Sequence, residues 1–460
     1  MNSLQSLDQR YLAFREKTKG VFDRFPQIEP LRYFIFKELL IEPRRLGWRE
    51  HVKHWISPFV RQERTVGSLS KTCILIWIES AREIISQTLF PVFEELVKRG
   101  EHVCLVSLKG PSTLPPTTVQ FRFRPGCFAP EWGDSAWRAL CDAEKPIDRP
   151  ESARMFRYAC ANVQSLLSEF RRIFELIQPR VVVAASTQQI GGAGAFVTAQ
   201  GMGIRTVLLQ HGLLQPFHIP IVADTICTWG QSFNKTLAGL GIDQHRMVAL
   251  GSPRHDRMMP SINGRARRAL VNSLDLEDKF TLAFFSNGND LLRNGSAPLE
   301  CADWLESLAR QYQNRINVIV RLHPNEDGSL YRSCPHLIVL RDPPSLDLVL
   351  EGCDCVASLC STALFEGLLY YKPILQLLAD GWPDLADNWK QGLAQRVRSK
   401  SEFAEAVEHM LNAEEPSCND TARVESVFAN RGRATQAVAE FIVSQTKMRP
   451  EAKTNSCASR

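Results

Sequence analysis

No apolar run in this chain approaches the roughly 18 uncharged residues that a membrane-crossing helix needs, so no span is expected. The opening, MNSLQSLDQRYLAFREK, lacks the apolar stretch of a secretory signal. Charge of one sign is not concentrated either: 55 Lys and Arg against 50 Asp and Glu leave +5 in 460 residues, far from the balance of a nucleic-acid-binding protein. Any anionic ligand must then be held by a few local groups. The 13 cysteines are dispersed, odd in number and without a signal sequence, which points to a reduced, cytoplasmic protein rather than a disulfide scaffold. The tightest group, Cys353, Cys355 and Cys360, lies in CDCVASLC, an apolar strand pattern without paired CxxC spacing or neighbouring histidines. Core thiols are expected there, not a metal site. There is no GxGxxG; the GGAG of STQQIGGAGAF falls in a helical segment, where close helix packing explains it better.

What is present is an ordinary globular composition, 44% hydrophobic and 23% charged, which excludes global disorder and long coiled coils. The length allows two or three domains. Residues 1–70 are aromatic, basic and helix-forming, and predict a helical N-terminal extension. Within it, Arg44, Arg45, Arg49, Lys53 and Arg61 stand near Trp48, Trp55 and Phe59. The segment 30–62 either packs on the next domain or makes peripheral contact with an anionic membrane face.

From residue 71 apolar strands alternate with helices. TCILIWI, the helix of REIISQTLFPVFEELVKRG and HVCLVSL form a β-α-β unit, so a parallel sheet begins here. The proline-rich stretch from 109 to 150 reads as long loops, with TVQFRF as a candidate strand. A long helix, RVVVAAS, a helix from Gln188, IRTVLLQ, DTICTWG and RMVALGS continue the series. SINGRARRALVNSLDLED reads as a polar linker, after which FTLAFFS, INVIVRL, HLIVL, DCVASLC and PILQLLA form a second series, with helices over about 401–412 and 420–445. Two such series predict an α/β protein with two Rossmann-like domains facing a cleft, at 71–265 and 266–445, and a disordered tail at 446–460.

Ligands of open parallel sheets bind beyond the carboxyl ends of the strands, so the polar residues there are the candidates. In the second domain Ser361 and Thr362 stand where strand becomes helix; their hydroxyls and the helix's N–H groups could hold a phosphate, or simply cap the helix. Glu366, in the same helix, could accept hydrogen bonds from ribose hydroxyls. His323 follows Arg321 at a strand end, and Pro324 fixes the chain where the imidazole would meet a nucleotide phosphate. Ser286, Asn287 and Gly288 offer small side chains and backbone amides, as any tight turn would. In the first domain His211, in VLLQHG, can act as a general base. Glu79, after TCILIWIE, is the best-placed carboxylate for the same task, or else a helix cap.

The order QHG at 210–212, GSPRHD at 251–256, RLHPNE at 321–326 and SLCSTALFEGLLYYKPIL at 358–375 resembles the GT-B glycosyltransferases of bacterial surface and capsule polysaccharide biosynthesis. The similarity covers about 71–440 and extends to capsule polysaccharide transferases, sialyl- and polysialyltransferases and CDP-glycerol glycerophosphotransferases. It implies transfer of a sugar or polyol phosphate from a CMP-, CDP- or UDP-linked donor to a hydroxyl of a glycan or lipid-linked glycan. Inversion, no cofactor beyond the donor and no metal are implied too, in keeping with the lack of a DxD motif; no nucleic-acid partner is expected. By resemblance His323 and Pro324 lie against the nucleotide and its phosphate, Ser361 and Thr362 grip that phosphate, Glu366 meets the ribose, and His211 holds the place of a base. The longer Trp-His-Gly-Thr pattern of the glycerophosphotransferases is absent, as is the acidic motif of the sialyltransferases. Two alternatives stand beside this reading. One is an isomerase like UDP-N-acetylglucosamine 2-epimerase, which shares His-Pro-Asn but carries Ser-Gly-Gly-x-x-Glu-Glu where this chain has CSTALFEG. The other is a non-catalytic nucleotide- or glycan-binding member of an assembly complex.

Overall fold

The computed structural model describes residues 7–41, 74–79, 83–107, 119–120, 126, 129–261, 264–287, 297–379, 388–413 and 421–448. The chain divides into two compact units, 1–254 with 429–460, and 255–428. Each is built on one parallel sheet, giving the expected α/β architecture of two Rossmann-like domains.

The first unit carries β1 (Ile74–Ile78), β2 (Val103–Ser107), β3 (Val119–Gln120), β4 (Val181–Ala184), β5 (Arg205–Leu209), β6 (Thr225–Thr228) and β7 (Met247–Ala249). Their order is β3-β2-β1-β4-β5-β6-β7, all parallel. The order reverses between β1 and β4, where crossovers leave to opposite sides and open a crevice at the strand ends. Both faces of the sheet are covered, which is why its strands are apolar runs rather than alternating ones. Ile74, Ile76 and Ile78 pack with Leu89, Val92 and Ile442. On the other face Trp77 meets Phe170 edge to face, centroids 4.8 Å apart. Full burial of side chains of this size contributes about 1.5–3 kcal/mol each.

The N-terminal segment is part of this unit's core rather than an extension. Helix α1 (Leu7–Arg24) and the helical turns to Ile41 bury Tyr11, Phe14, Ile28, Leu31, Phe36 and Leu39 against Trp137, Phe156 and Phe217. The part of 30–62 that is described is thus turned inward; 42–62, with the basic and tryptophan-rich residues, lies outside the described residues, as does the tail 449–460. A helix, α3 (Glu131–Ala143), stands where long loops were expected. Pro130 immediately precedes it, so the proline marks a start and not a loop. Helices α2 (Glu83–Lys98), α4 (Pro150–Ile177), α5 (Ile190–Gly201) and α6 (Gln231–Gly239) complete the crossovers.

The second unit carries β8 (Phe280–Phe285), β9 (Ile316–Arg321), β10 (Ile338–Leu340), β11 (Cys355–Ser358), β12 (Ile374–Leu377) and β13 (Gln395–Val397), ordered β10-β9-β8-β11-β12-β13. Here the reversal falls between β8 and β11. The expected linker contains α7 (Arg265–Ser273), which buries Ala266 and Leu270. Its three arginines hide a two-residue apolar anchor at i, i+4 spacing. Its other described helices are α8 (Ala297–Gln311), α9 (Leu346–Gly352), α10 (Ala363–Leu369), α11 (Lys400–Asn412) and α12 (Thr421–Val427), while α13 (Ala434–Lys447) belongs to the first unit.

The division falls at 254/255 and 428/429, whereas the sequence reading put it after 265 and left 429–445 in the second domain. The expected helix over 420–445 is broken, with Asn430 and Gly432 at positive φ, and α13 packs on the first unit's core through Val438, Ala439 and Ile442. Gly251, at φ +91°, is required by this return: a Cβ there would lie 2.0 Å from the carbonyl oxygen of Ala429.

Candidate functional site

Several of the polar residues singled out in the sequence lie at or beside the two strand-order reversals. In the first unit Glu79 leaves the end of β1 and turns back onto α5. Its carboxylate accepts hydrogen bonds from the backbone N–H of Gly191 (2.7 Å) and Gly192 (2.6 Å). Glu79 therefore caps α5, not the helix that follows it in sequence. The two glycines are demanded by this approach. A Cβ on Gly191 would fall 2.7 Å from Glu79 Oε1, and one on Gly192 would fall 1.9 Å from the carbonyl oxygen of Ser186. The protein's own carboxylate thus takes the place at a helix N-terminus that suits an anion. Burial pushes its pKa up to about 7, outweighing the two amides and the Trp77 indole, which favour the charged form.

His211 follows β5, next to β4. Its Nδ1 lies against the carbonyl oxygen of Ala185, which can only accept, so Nδ1 carries the proton and Nε2 is the basic nitrogen. The loop is clamped from both sides. Gln210 accepts from the Trp229 amide at 2.9 Å and donates to the Gly212 carbonyl at 2.9 Å, while the Trp229 indole donates to the Gln210 carbonyl at 2.8 Å. The His218 ring stands 6.1 Å from that of His211.

In the second unit Ser286 is buried and works through its neighbour. Its hydroxyl donates to Glu326 Oε2 and accepts from the His323 backbone N–H at 2.7 Å, which fixes the turn that presents His323. The His323 Nδ1 accepts from the Asn325 N–H at 3.2 Å, so the neutral ring carries its proton on Nε2. Partial desolvation holds its pKa below the ordinary value against the opposing pull of Glu326. At neutral pH this imidazole is a hydrogen-bond donor rather than a cation. Asn287 Oδ1 ties the reversal together, 3.2 Å from the Ser358 hydroxyl and 3.3 Å from the Cys360 amide. Gly288 lies outside the described residues.

Three expectations change. Arg321 does not face the reversal: it donates to the Pro344 carbonyl (2.8 Å) and pairs with Asp342 (3.2 Å), holding the loop after β10. Glu366 is 1% exposed and lies 3.1 Å from His255 Nε2, beside the Phe428 ring, 5.0 Å from the imidazole. Every residue of α10 is buried, so this carboxylate does not present itself to a ribose. The first-turn amides of α10 are also engaged: Ala363 N–H donates to Ser361 Oγ (3.2 Å), and Leu364, Phe365 and Glu366 donate to the carbonyls of Ser361 and Thr362. What Ser361 and Thr362 offer an anion is their partly exposed hydroxyls, with Pro324 exposed beside His323.

His255 and Glu326 escaped the sequence reading as partners. His255 stands in the GSPRHD motif and Glu326 in RLHPNE, but nothing local in either motif tells that one meets α10 and the other the end of β8. The cysteines at 353, 355 and 360 are buried core thiols, and burial pushes the Cys353 thiol up to about 12. Among the described residues no three His, Cys, Asp or Glu side chains gather into a metal-ligating group, and no helix is long and apolar enough to cross a membrane.

No family model and no curated protein sequence matches this chain. Solved structures do. The UDP-GlcNAc 2-epimerase of Methanocaldococcus jannaschii, in complex with UDP-GlcNAc and UDP, is 14% identical with a TM-score of 0.53, covering 81% of this chain and 99% of its own. The UDP-GlcNAc 2-epimerase of Neisseria meningitidis, bound to UDP-GlcNAc, is 13% identical with a TM-score of 0.51, over 81% and 99%. A glycosyltransferase from Rickettsia africae is 10% identical with a TM-score of 0.52, over 82% and 99%. At these identities the likeness is one of fold: the chain has the two Rossmann-like units of the GT-B class.

Proposed function

We propose that this protein is a glycosyltransferase that moves a sugar or polyol phosphate from a CMP-, CDP- or UDP-linked donor to a hydroxyl of a cell-surface glycan, without a metal and with inversion where a sugar is moved. The observation that carries the reading is His211, whose Nδ1–H is committed to the Ala185 carbonyl, so that Nε2 is the basic nitrogen of a ring oriented on a clamped loop. In this mechanism Nε2 takes the proton of the acceptor hydroxyl as its oxygen attacks the donor's reactive carbon or phosphorus. The bond to the nucleotide breaks, and the departing phosphate accepts hydrogen bonds from His323 Nε2–H and from the hydroxyls of Ser361 and Thr362. Ser286 and Glu326 hold the His323 turn in place. Glu79 supports the first unit's reversal by capping α5 and does not act on the acceptor. The setting is cytoplasmic, with the acceptor at the inner face of the membrane.

A second reading has a specific observation behind it: two of the similar structures above are named as UDP-GlcNAc 2-epimerases. Against it stands the replacement of Ser-Gly-Gly-x-x-Glu-Glu by CSTALFEG, whose glutamate is the buried partner of His255. Incubating the full chain with CMP-, CDP- and UDP-activated donors, with and without a glycan acceptor, separates the two. Acceptor-dependent release of nucleotide with a labelled glycan supports the transferase. Conversion of UDP-GlcNAc to its 2-epimer without acceptor establishes the isomerase instead, and turnover of no donor defeats both.

A further inference from the structure

The connection from β5 to β6, residues 210–224, reaches the roughly 12–15 residues at which a loop inside a compact domain is usually functional. It carries His211 near its start, and the scaffold holds both of its ends. Gln210 is bound to Trp229, while Arg246 Nη2 and Gln200 Nε2 donate to the carbonyls of Ile221 and Val222, at 2.6 Å each. The middle of the loop rests on the N-terminal segment instead. There the turn Pro216–His218 sets the Phe217 ring against Tyr11, Tyr33 and Phe36, with centroids 5.2, 5.6 and 6.1 Å away. The Tyr11 hydroxyl donates to the Ile219 carbonyl at 2.6 Å. Tyr11 and Ile219 are each 1% exposed, so bulk water does not compete for this bond. Burial pushes the pKa of the phenol above its ordinary value, which keeps it a donor.

The helix that carries Tyr11 is itself fixed from behind. Phe14 shares a buried cluster with Trp137 and Leu140 of α3, and Lys17 reaches Glu144, just past α3, at 3.0 Å. On the loop side Ile219 follows His218. The His218 Nδ1 meets the Gln215 N–H at 3.0 Å, and its ring stands edge to face with that of His211, 6.1 Å away. A chain of contacts therefore runs from α1 through Ile219 and His218 to His211. A buried carbonyl deprived of its donor at Ile219 would favour the opened loop over the closed one.

We propose that Tyr11 is a positioning residue of the reaction: by holding Ile219 it keeps His218, and with it the His211 imidazole, in place for the acceptor hydroxyl. The proposal rests on the transferase reading for what His211 does, and on the geometry of the first unit for the positioning. It gives the N-terminal segment a part in turnover that its aromatic, helix-forming sequence does not announce.

The test compares three full-length variants by hydrogen exchange with mass spectrometry and by steady-state kinetics. Tyr11→Phe keeps the ring and removes the donor. Phe217→Leu removes the ring contact from the side of the loop, and carries the test if Tyr11→Phe does not fold. Thr18→Val is the control, since it removes another buried hydroxyl of the same helix, whose bond to the Phe14 carbonyl (2.7 Å) stays within α1. In Tyr11→Phe the hydrogen-bonded amides of Gln215, His218 and Ile219 should exchange about tenfold faster, and kcat should fall about tenfold, the effect of one buried hydrogen bond. Donor KM and nucleotide affinity should not change. Phe217→Leu should act in the same direction, and Thr18→Val should match the parent in both readouts. Unchanged exchange at 215–219 in Tyr11→Phe, or an equal effect of Thr18→Val, would overturn the proposal. Faster exchange with kcat unchanged would overturn it as well and leave the transferase reading standing. If the parent turns over no donor, the transferase reading fails, and the exchange comparison alone decides whether Tyr11 holds the loop.

Discussion

The two sheets reverse strand order at equivalent places, yet they treat the helix that starts there in opposite ways. In the first unit the amides of Gly191 and Gly192 are met by Glu79 from another strand. In the second unit the amides of α10 are met by Ser361 and Thr362, their own neighbours in sequence. Neither helix terminus is left waiting for a phosphate. The topology supplies a crevice, and side chains decide its chemistry: a titratable carboxylate and an imidazole protonated on Nδ1 in one unit, a neutral imidazole and two hydroxyls in the other.

That contrast breaks first at His211. His211→Ala should lower turnover by about 10²–10⁴ with nucleotide affinity kept, as steady-state kinetics and calorimetry together would show; equal loss of both would make the residue structural. Next comes the buried pair of the second unit. His255→Ala removes the imidazole that Glu366 meets in the core, and should cost about 3–5 kcal/mol in urea denaturation, while the double variant His255→Phe with Glu366→Leu recovers most of it. A single variant as stable as the parent contradicts the pairing.

Glu79 gives a smaller effect with a definite sign. Its folded pKa of about 7 lies above the ordinary 4.5, so the folded state binds the proton more tightly. The stabilising contribution is complete below pH 4.5, falls as pH rises, and is gone above about 7, a change of at most about 3 kcal/mol. Denaturation from pH 5 to 8 should show this decline, and Glu79→Gln should remove it. A flat profile in the parent would show that the carboxylate is ionised throughout.

Much of the fold was readable because buried parallel strands are continuous apolar runs: ILIWI, VVVA and FTLAFF declare themselves. The misses share a cause. Pro130 looked like a loop residue and starts a helix, and the arginines of α7 concealed Ala266 and Leu270. Nothing local signals that α13 leaves its sequence neighbours for the first unit. The site was legible by position but not by orientation. His323 and His211 stand at strand ends, as their motifs imply. Arg321 and Glu366 stand at equally promising places and point elsewhere, because each has a partner far along the chain that short motifs do not encode.

The central claim is that the second unit holds a nucleotide-activated donor through His323. Titrating UDP, CDP and CMP into the full chain and into His323→Ala, at pH 7.5, tests it most directly. One nucleotide should bind the parent, and the variant should bind it about tenfold more weakly, the loss of one hydrogen bond to a charged oxygen. Binding of no nucleotide, or equal affinity in parent and variant, would contradict the account.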